Sequence, residues 1–381
     1  MQTAFETRLR LLFTAAGTDV TADIVPDLLS FSYEDKESGE ADEIQLALKD
    51  ETGKWAGTWK PDGGEVVEAY IGTSSMTGLA GSELFCGRFY VDSISVRGAP
   101  RQFEMRAIST PLKSAIRRKQ LSRAWEGQTL GGIARLIAEE NGLELLFDVE
   151  TDPAYDRKDQ KAESNLAFLS RLCEDEGFSL KVTDEKIVIF DQVSYEKKEP
   201  IATIALGVSD VLSWSFDSQQ SDTYKTCTVA WRDLKKKQKA SAGGYDFTQS
   251  AAGAAPTPDD DMAALTTLPD YRAQKNPAVN YCSYTDPNVG EEGQEYRLKK
   301  RVTSKAEAER LAKATLRRLN ARKVTGTITT IGNLSFLAGC VVACEGFGSF
   351  DGRFIITSAS HAIGSSGYTT TINLRRINTS Y

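Results

Sequence analysis

Apolar and polar residues alternate along much of this chain with the two-residue period of a half-buried β-strand. The run Ile-Gln-Leu-Ala-Leu at 44–48 is a clear example. Residues 1–110 show the pattern repeatedly, with glycine- and serine-rich breaks between the runs, and it resumes over 201–234. The sequence therefore predicts a mainly β protein in which strands form two separate stretches of the chain.

The aromatic residues of the second β stretch are candidates for its core. They are Trp214, Phe216 and Trp231. Large aromatic side chains contribute much of the apolar area that a β-domain buries. We therefore expect all three to be buried.

A helical period replaces the alternation between the two β stretches. Over 129–141 the apolar residues share one helix face, Thr129 is a candidate N-cap, and Asn-Gly follows the last turn. A second helix is predicted from Ser164 to Gly177, and a hairpin follows at 179–190. These elements predict a small α+β module of about 80 residues, within the usual range for a domain.

The periodicity is lost over residues 235–300, which we call the arm. This segment contains the basic run Lys235–Lys239, an alanine- and glycine-rich stretch and three consecutive aspartates. Such composition is typical of a loop or linker. A helix is predicted after it at 304–320, because Ser304 and Glu307 have the spacing of a capping box.

One nine-residue pattern occurs twice, 265 positions apart. Gly-Arg-Phe-Tyr-Val-Asp-Ser-Ile-Ser at 87–95 returns as Gly-Arg-Phe-Ile-Ile-Thr-Ser-Ala-Ser at 352–360. A Gly-x-Val-Val run precedes each copy, at 64–67 and at 339–342. The same order of strand, loop and strand around both copies predicts two related β-domains.

Side-chain directions follow from this repeat, because neighbouring residues on a strand face opposite sides of the sheet. Phe89 and Phe354 are predicted to occupy equivalent inward positions. Arg88 and Arg353 are predicted to point outward.

Composition is that of an ordinary globular protein. The 381 residues are 40% apolar and 26% charged, with a net charge of −7. An acidic balance argues against a dedicated nucleic-acid binder. The six cysteines have no framework spacing and are expected to be reduced thiols. We predict no membrane insertion, because no apolar run is long enough to span a bilayer.

The single histidine, His361, could form a nucleophilic dyad with Cys340 or Cys344, since residues four apart on a strand share a face. The favoured interpretation is structural, with both thiols in the core and the imidazole packed or hydrogen-bonded. A zinc site would need further Cys or His ligands that the sequence lacks.

Other candidate chemistry has an ordinary explanation as well. Acidic residues near helix ends could form a lysozyme-like pair, but polar helix faces account for them; they are Glu139, Glu140, Glu174 and Glu176. Asp259–Asp261 is interpreted as a solvated loop rather than a cation site, and Lys235–Lys239 as a solvated loop rather than a contact for DNA or an acidic neighbour. Gly131-Gly132 lacks the rest of a phosphate loop. We predict no catalytic, cofactor-binding or metal-binding residues, and no cofactor.

Several spaced motifs resemble those of the late control D family, the baseplate hub proteins of contractile-tailed phages. They are Trp-Glu-Gly-Gln-Thr-Leu at 125–130, Glu-Ser-Asn-Leu-Ala-Phe-Leu at 163–169, Glu-Gly-Phe at 176–178, Asp-Gly-Arg-Phe at 351–354 and Ser-Gly-Tyr-Thr-Thr-Thr at 366–371. Gln160 and His361 belong to the same resemblance. The family is similar to the hub part of type VI secretion spike proteins.

The resemblance implies two tube-like β-barrel domains that flank the α+β module. The boundaries are then 1–110 for the first β-domain, 111–200 for the module, and 201–234 plus 301–381 for the second β-domain, with the arm as a long loop. It also implies a homotrimer whose six β-domains form a pseudo-sixfold ring between the hexameric tail tube and a separate, trimeric central spike.

Further expectations follow from the resemblance. Other baseplate proteins are partners, DNA passes through the lumen without specific binding, and the protein is made in the host cytoplasm and located in the virion tail baseplate. Two alternatives stay open, namely the hub of a genome-free, phage-derived injection particle and a tail-associated peptidoglycan-cleaving enzyme. We expect no enzymatic activity.

Overall fold

A computed structural model of the protein describes residues 5–13, 18–75, 82–110, 115–183, 185–219, 223–232 and 279–378. More than half of the described residues lie in strands and a much smaller share in helices, so the predicted mainly β fold class is confirmed. The chain divides into two compact units, one from residues 1–222 and 318–379 and the other from 223–317.

The strands are β1 Phe5–Phe13, β2 Thr18–Asp19, β3 Leu28–Lys36, β4 Glu43–Lys49, β5 Val66–Ser75, β6 Ser82–Arg97, β7 Gln102–Ile108, β8 Gln120–Thr129, β9 Glu144–Asp148, β10 Ala154–Ser164, β11 Phe178–Val182, β12 Lys186–Asp191, β13 Ala202–Ala205, β14 Val211–Ser218, β15 Tyr224–Trp231, β16 Asn280–Thr285, β17 Gln294–Val302, β18 Val324–Ile331, β19 Val341–Glu345, β20 Gly352–Gly364 and β21 Gly367–Arg376. The helices are α1 Thr21–Ile24, α2 Ala115–Arg118, α3 Leu130–Glu140, α4 Asn165–Glu176, α5 Gln192–Glu196 and α6 Lys305–Asn320, with short 3₁₀ turns at Val25–Asp27 and Gly348–Phe350.

A large sheet of the first unit contains two runs of five antiparallel strands. One run is ordered β3-β4-β7-β6-β5, and the other is ordered β14-β18-β21-β20-β19. We call them the first and second halves. Strands β20 and β3 pair with each other, so one sheet passes through both halves. Each half packs its own apolar core, the first around Phe89 and the second around Phe354.

The two halves also share their strand registers. Val67 is paired with Phe89 in the first half, and Val342 with Phe354 in the second. The register of β6 against β7 shifts between Val91 and Ser93, and that of β20 against β21 shifts between Ile356 and Ser358, 265 positions later. The same pairing partners and the same β-bulge therefore surround both copies of the repeated pattern.

The glycine that begins each copy has a backbone conformation that favours glycine. Gly87 has φ of 129° and Gly352 has φ of 138°, values that other L-residues rarely adopt. Phe89 and Phe354 are both fully buried, while Arg88 and Arg353 are partly exposed. The inward and outward positions are as the alternation predicts.

A second sequence repeat coincides with β3 and β14, and our sequence analysis did not detect it. Leu-Leu-Ser-Phe-Ser-Tyr-Glu at 28–34 matches Val-Leu-Ser-Trp-Ser-Phe-Asp at 211–217, 183 positions apart. Both strands carry a register shift at the second residue, between Leu28 and Ser30 and between Val211 and Ser213. The correspondence between the halves thus begins at their first strands.

The predicted α+β module between the halves has its own core, built from α3, α4 and the strands around them. Thr129 caps α3, since its hydroxyl oxygen accepts a hydrogen bond from the Gly132 N–H at 3.1 Å. Ser164 caps α4 in the same way, and Gly177 ends that helix in the left-handed conformation. The predicted hairpin is β11–β12, and β9 pairs with β12 in parallel.

The second unit corrects the prediction for the arm. Residues 280–285 and 294–302 are strands β16 and β17, which pair with β15, and α6 packs on the same core. Alternation is weak in β16 because its exposed face carries an aromatic residue, Tyr281, beside the polar Ser283 and Thr285. Residues 235–278 of the arm lie outside the described residues.

Strand β15 and most of α6 therefore belong to this second unit, which follows β14 in the chain and precedes β18. The corresponding connection in the first half, from β3 to β4, is only residues 37–42. Ser304 caps α6 as predicted, because its hydroxyl oxygen accepts a hydrogen bond from the Glu307 N–H at 3.2 Å.

We expect Phe89→Ala and Phe354→Ala each to lower the free energy of unfolding by about 3–5 kcal/mol, because both rings are fully buried. The matched control is Phe85→Ala on β6, whose ring is 52% exposed and whose loss should cost about 1 kcal/mol or less. Urea denaturation measures all three variants. A large loss for only one of the two buried rings would contradict their equivalence.

Candidate functional site

The junction between the halves is the pairing of β20 with β3, which runs from Ser358 opposite Lys36 to Gly364 opposite Ser30. His361 lies opposite Tyr33 at its centre and is fully buried. The ring planes of these two residues are stacked, with centroids 5.8 Å apart. The apolar area of both rings is thereby removed from water within the junction.

Both ring nitrogens of His361 have partners. Nδ1 lies 2.7 Å from the Tyr368 hydroxyl, and Nε2 lies 3.0 Å from the Phe336 carbonyl oxygen. The carbonyl can only accept, so Nε2 carries the proton and Nδ1 accepts from the hydroxyl of the tyrosine. Burial lowers the pKa of His361 from its ordinary value, with the Phe336 carbonyl opposing that shift. The histidine is a hydrogen-bonded core residue.

A buried carboxylate lies beside this junction. Asp35 accepts hydrogen bonds from the Lys181 ammonium at 2.6 Å and from the Ala338 backbone N–H at 2.8 Å. Lys181 also lies 3.0 Å from Asp42. Since Asp35 belongs to β3, Lys181 to the module and Ala338 to the second half, the three parts of the first unit meet at one carboxylate.

The two equivalent arginines connect both halves to the module. Arg88 Nη1 lies 3.3 Å from the carboxylate of Glu185, in the turn between β11 and β12. Arg353 Nη2 donates to the carbonyl oxygens of Glu196 and Lys198, just before β13. Equivalent positions of the two halves therefore contact two different segments of the same module.

Several edges of the large sheet have no strand partner among the described residues, and two of them belong to β14 and to the end of β6. Strand β14 is at one end of the strand order and pairs only with β18. Strand β6 pairs with β5 up to Tyr90, and beyond that point residues 93–97 pair only with β7. Unpaired edges present free N–H and C=O groups to a neighbouring chain.

Apolar side chains on β14, in the segment that precedes it and on the adjoining end of β18 are exposed, and we call them the apolar patch. This corrects the expectation that Trp214 is buried. The members of the patch are Ile201, Leu206, Val208, Leu212, Trp214 and Ile331, all of them exposed. Trp214 is 47% exposed, although its ring also contacts Phe347. Exposed apolar patches of this kind mark interaction surfaces. The expected core role is also incomplete for Phe216 and Trp231, which are partly buried.

The thiols of the proposed dyad are not activated. Burial raises the pKa of Cys344 to about 12, and it also raises the pKa of Cys340. A nucleophilic cysteine needs the opposite shift, toward the thiolate at neutral pH. Both ring nitrogens of His361 are already engaged with other partners, so the geometry supports a structural role for all three residues.

The contacts of the acidic residues considered for a hydrolytic site do not favour catalysis either. Arg123 donates hydrogen bonds to Glu140 and lowers the pKa of that carboxyl, whereas a general acid needs a raised pKa. Glu174 pairs with Arg318 at 2.8 Å, Glu139 is exposed, and Glu176 is partly buried. These contacts are typical of helix surfaces.

Gly131, the first glycine of the pair at the start of α3, donates a hydrogen bond to a carboxylate of this chain. Asp152 Oδ1 accepts from the Gly131 N–H at 2.9 Å, and a Cβ on Gly131 would approach the same carboxylate to 2.7 Å. The positive end of the helix dipole is thereby compensated internally. Lys235–Lys239 and Asp259–Asp261 lie outside the described residues.

Within the described ranges, no group of three or more Cys, His, Asp or Glu side chains is arranged to hold a metal ion. None of the helices in those ranges combines the length and apolar character needed to cross a bilayer.

Comparison with known proteins agrees with the motifs found in the sequence. The family described as phage tail baseplate hub (GPD) matches residues 68–367. A probable baseplate hub protein of Escherichia phage P2 is 26% identical over 367 residues, which cover 93% of this chain and 90% of that protein.

Two solved structures share the fold at low sequence identity. A tail protein from Neisseria meningitidis MC58 matches with a TM-score of 0.66 at 13% identity, covering 97% of this chain and 96% of that one. A type VI secretion system component of E. coli, described as similar to T4 bacteriophage tail proteins, matches with a TM-score of 0.51 at 13% identity, covering 93% of this chain and 75% of that one.

We expect His361 to titrate below pH 6.5 in the folded protein, because burial disfavours the imidazolium. The unfolded chain then binds a proton that the folded chain does not, so stability should fall as pH drops below about 6.5 and stay unaffected by this group above it. The chain has one histidine, so selective ¹³C labelling gives a single NMR signal. A folded midpoint at or above that of the urea-unfolded chain would refute the assignment.

We expect Asp35→Asn to lower the free energy of unfolding by about 3 kcal/mol, because it leaves Lys181 with one fewer buried counter-charge. The matched control is Glu40→Gln. That carboxylate contacts Lys36 at 2.6 Å, yet its side chain is 71% exposed, so its loss should cost about 0–1 kcal/mol. The shift in the urea midpoint of unfolding is measured for both variants. Equal shifts would show that the Asp35 contact contributes no more than a surface ion pair.

Proposed function

This chain belongs to the phage tail baseplate hub family, and we propose from that premise that three copies form a ring joining the tail tube to the central spike. Its relatives are baseplate hub proteins, which are located in the virion tail baseplate. The observation that carries the proposal is the shared strand register of the two halves around Phe89 and Phe354. Three chains with two equivalent halves each present six similar units.

The ring accounts for the symmetry that such an adaptor needs. Six similar β-units match a hexameric tube on one face of the ring. Because the two halves of each chain are similar but not identical, the ring also has the threefold symmetry that matches a trimeric spike on the other face. Closed rotational symmetry also satisfies surfaces that a single copy leaves exposed, including the β14 edge and its apolar patch.

Partners follow from the same role. The E. coli component with this fold belongs to the type VI secretion system, and another structure with the fold is a Francisella complex of PdpA and VgrG. These support partnership with a tube, a spike and neighbouring baseplate proteins for this chain. DNA would pass through the ring without specific recognition, consistent with the acidic net charge of −7.

The hub of a genome-free injection particle would use the same contacts to tube and spike. The two assignments differ in whether the assembled particle carries DNA. Purified particles containing this chain are therefore to be tested for nuclease-protected DNA, whose presence supports the phage tail.

The enzymatic alternative has no support in the described geometry, where the candidate thiols and carboxylates have structural partners. We propose that the protein does not cleave peptidoglycan. A muralytic assay on the purified chain, with lysozyme as positive control, is expected to show no release of soluble fragments. Measurable release would favour the enzyme.

We expect native mass spectrometry of the chain with its spike to give three copies of each. Negative-stain images of the same sample should show a ring with a central hole. Measuring the chain alone is the control, since it separates self-assembly from assembly on the spike. A complex with any other ratio would overturn the proposed adaptor.

A further inference from the structure

The two strands that pair at the closed junction, β20 and β3, each have an equivalent strand in the other half of the chain. Those equivalent strands, β6 and β14, carry the open edges. The 265-residue offset relates β6 to β20, and the 183-residue offset relates β3 to β14. Strand β20 pairs with β3. Its equivalent, residues 93–97 of β6, has no partner on that side among the described residues, and neither has β14 on its outer edge.

Side chains at the closed junction are buried, and side chains at the equivalent positions of the open edges are exposed. Phe31 on β3 is 1% exposed, while its equivalent on β14, Trp214, is 47% exposed. His361 on β20 is fully buried, while its equivalent on β6, Val96, is 46% exposed. The side chains that the closed junction covers are thus the ones left uncovered at the open edges.

We propose that residues 93–97 of β6 in one copy pair antiparallel with β14 of a second copy of this chain, in the register of the internal β20–β3 junction. This rests on the proposed ring and specifies its contacts. The internal register places Ser360 opposite Glu34 and Ala362 opposite Ser32. Applying both offsets places Ser95 opposite Asp217 of the second copy, and Arg97 opposite its Ser215.

Three features favour a second copy over another partner. Each chain carries one edge of each kind, so every copy supplies what the next one lacks. Arg97 is 70% exposed, although it already lies 2.9 Å from Glu104 of its own chain, and it would lie diagonally across from Asp217 of the second copy, which brings opposite charges together. The exposed apolar patch beside β14 would then be covered by the β6 region, as Phe31 is covered within the chain.

Disulfide cross-linking tests the register. Ser95→Cys and Asp217→Cys proteins are prepared separately, mixed, and assembled with the spike before mild oxidation. Because each chain carries one introduced cysteine, a covalent dimer on a non-reducing gel reports a bond between copies. We expect that dimer only in the mixture, and covalent trimers from the double variant Ser95→Cys/Asp217→Cys.

Two controls accompany the mixture. The internal pair Ser360→Cys/Glu34→Cys has the same geometry within one chain and shows that a disulfide can form at this position of the junction. The displaced pair Ser95→Cys with Ser213→Cys is four residues out of register on the same face and should not form a bond. A bond from the displaced pair but not from the matched pair would overturn the register.

Native mass measurement of each unoxidised sample separates the two proposals. Trimers that form without the matched disulfide, while the internal control pair does form one, overturn the β6–β14 pairing and leave the adaptor intact. Samples that contain no trimer with the spike overturn the adaptor and the pairing together. Trimers with the matched disulfide support both.

Discussion

The buried Asp35 carboxylate is the contact on which the arrangement of the first unit depends. A charge removed from water is costly unless it is paired, and the partners of Asp35 in the described residues come from distant parts of the chain, the Lys181 ammonium and the Ala338 N–H. The apolar residues form separate clusters in the two halves and the module, although Tyr368 of the second half packs into the core of the first. The carboxylate is satisfied only when the first half, the module and the second half have come together, so it favours one arrangement of the three over others of similar apolar burial.

The two halves share the order of five strands, but they differ in the further strands and insertions that each half carries. Outside β5 the first half has β1, paired antiparallel, whereas outside β19 the second half has β13, paired in parallel. Between its first two strands the first half has a short connection, and the second half has the whole second unit. Insertions of this size are tolerated at strand connections because they leave the ladder and the core unchanged.

The sequence was sufficient for elements with strong local signals. The caps of α3, α4 and α6, the inward position of Phe89 and the outward position of Arg88 all follow from spacing and alternation. It was insufficient where burial is decided by distant pairing, since Phe31 and Trp214 occupy equivalent strand positions and only the first is covered. Strand β16 was missed because its alternation is weak, β17 was missed with it inside the predicted arm, and Asp35 has no local signal of its role. The match between 28–34 and 211–217 was a signal in the sequence that comparison of the two β stretches could have found.

The pairing of β20 with β3 is made within one chain, so it forms at an effective concentration set by the intervening polypeptide and not by the amount of protein in solution. In a ring of six units built from separate single-unit chains, every junction would depend on a bimolecular encounter. Joining two units in one polypeptide would make every second junction of such a ring intramolecular. Only the remaining half of the junctions would then depend on the protein concentration. For the ring proposed above, the covalent linkage would lower the protein concentration at which a complete ring can assemble.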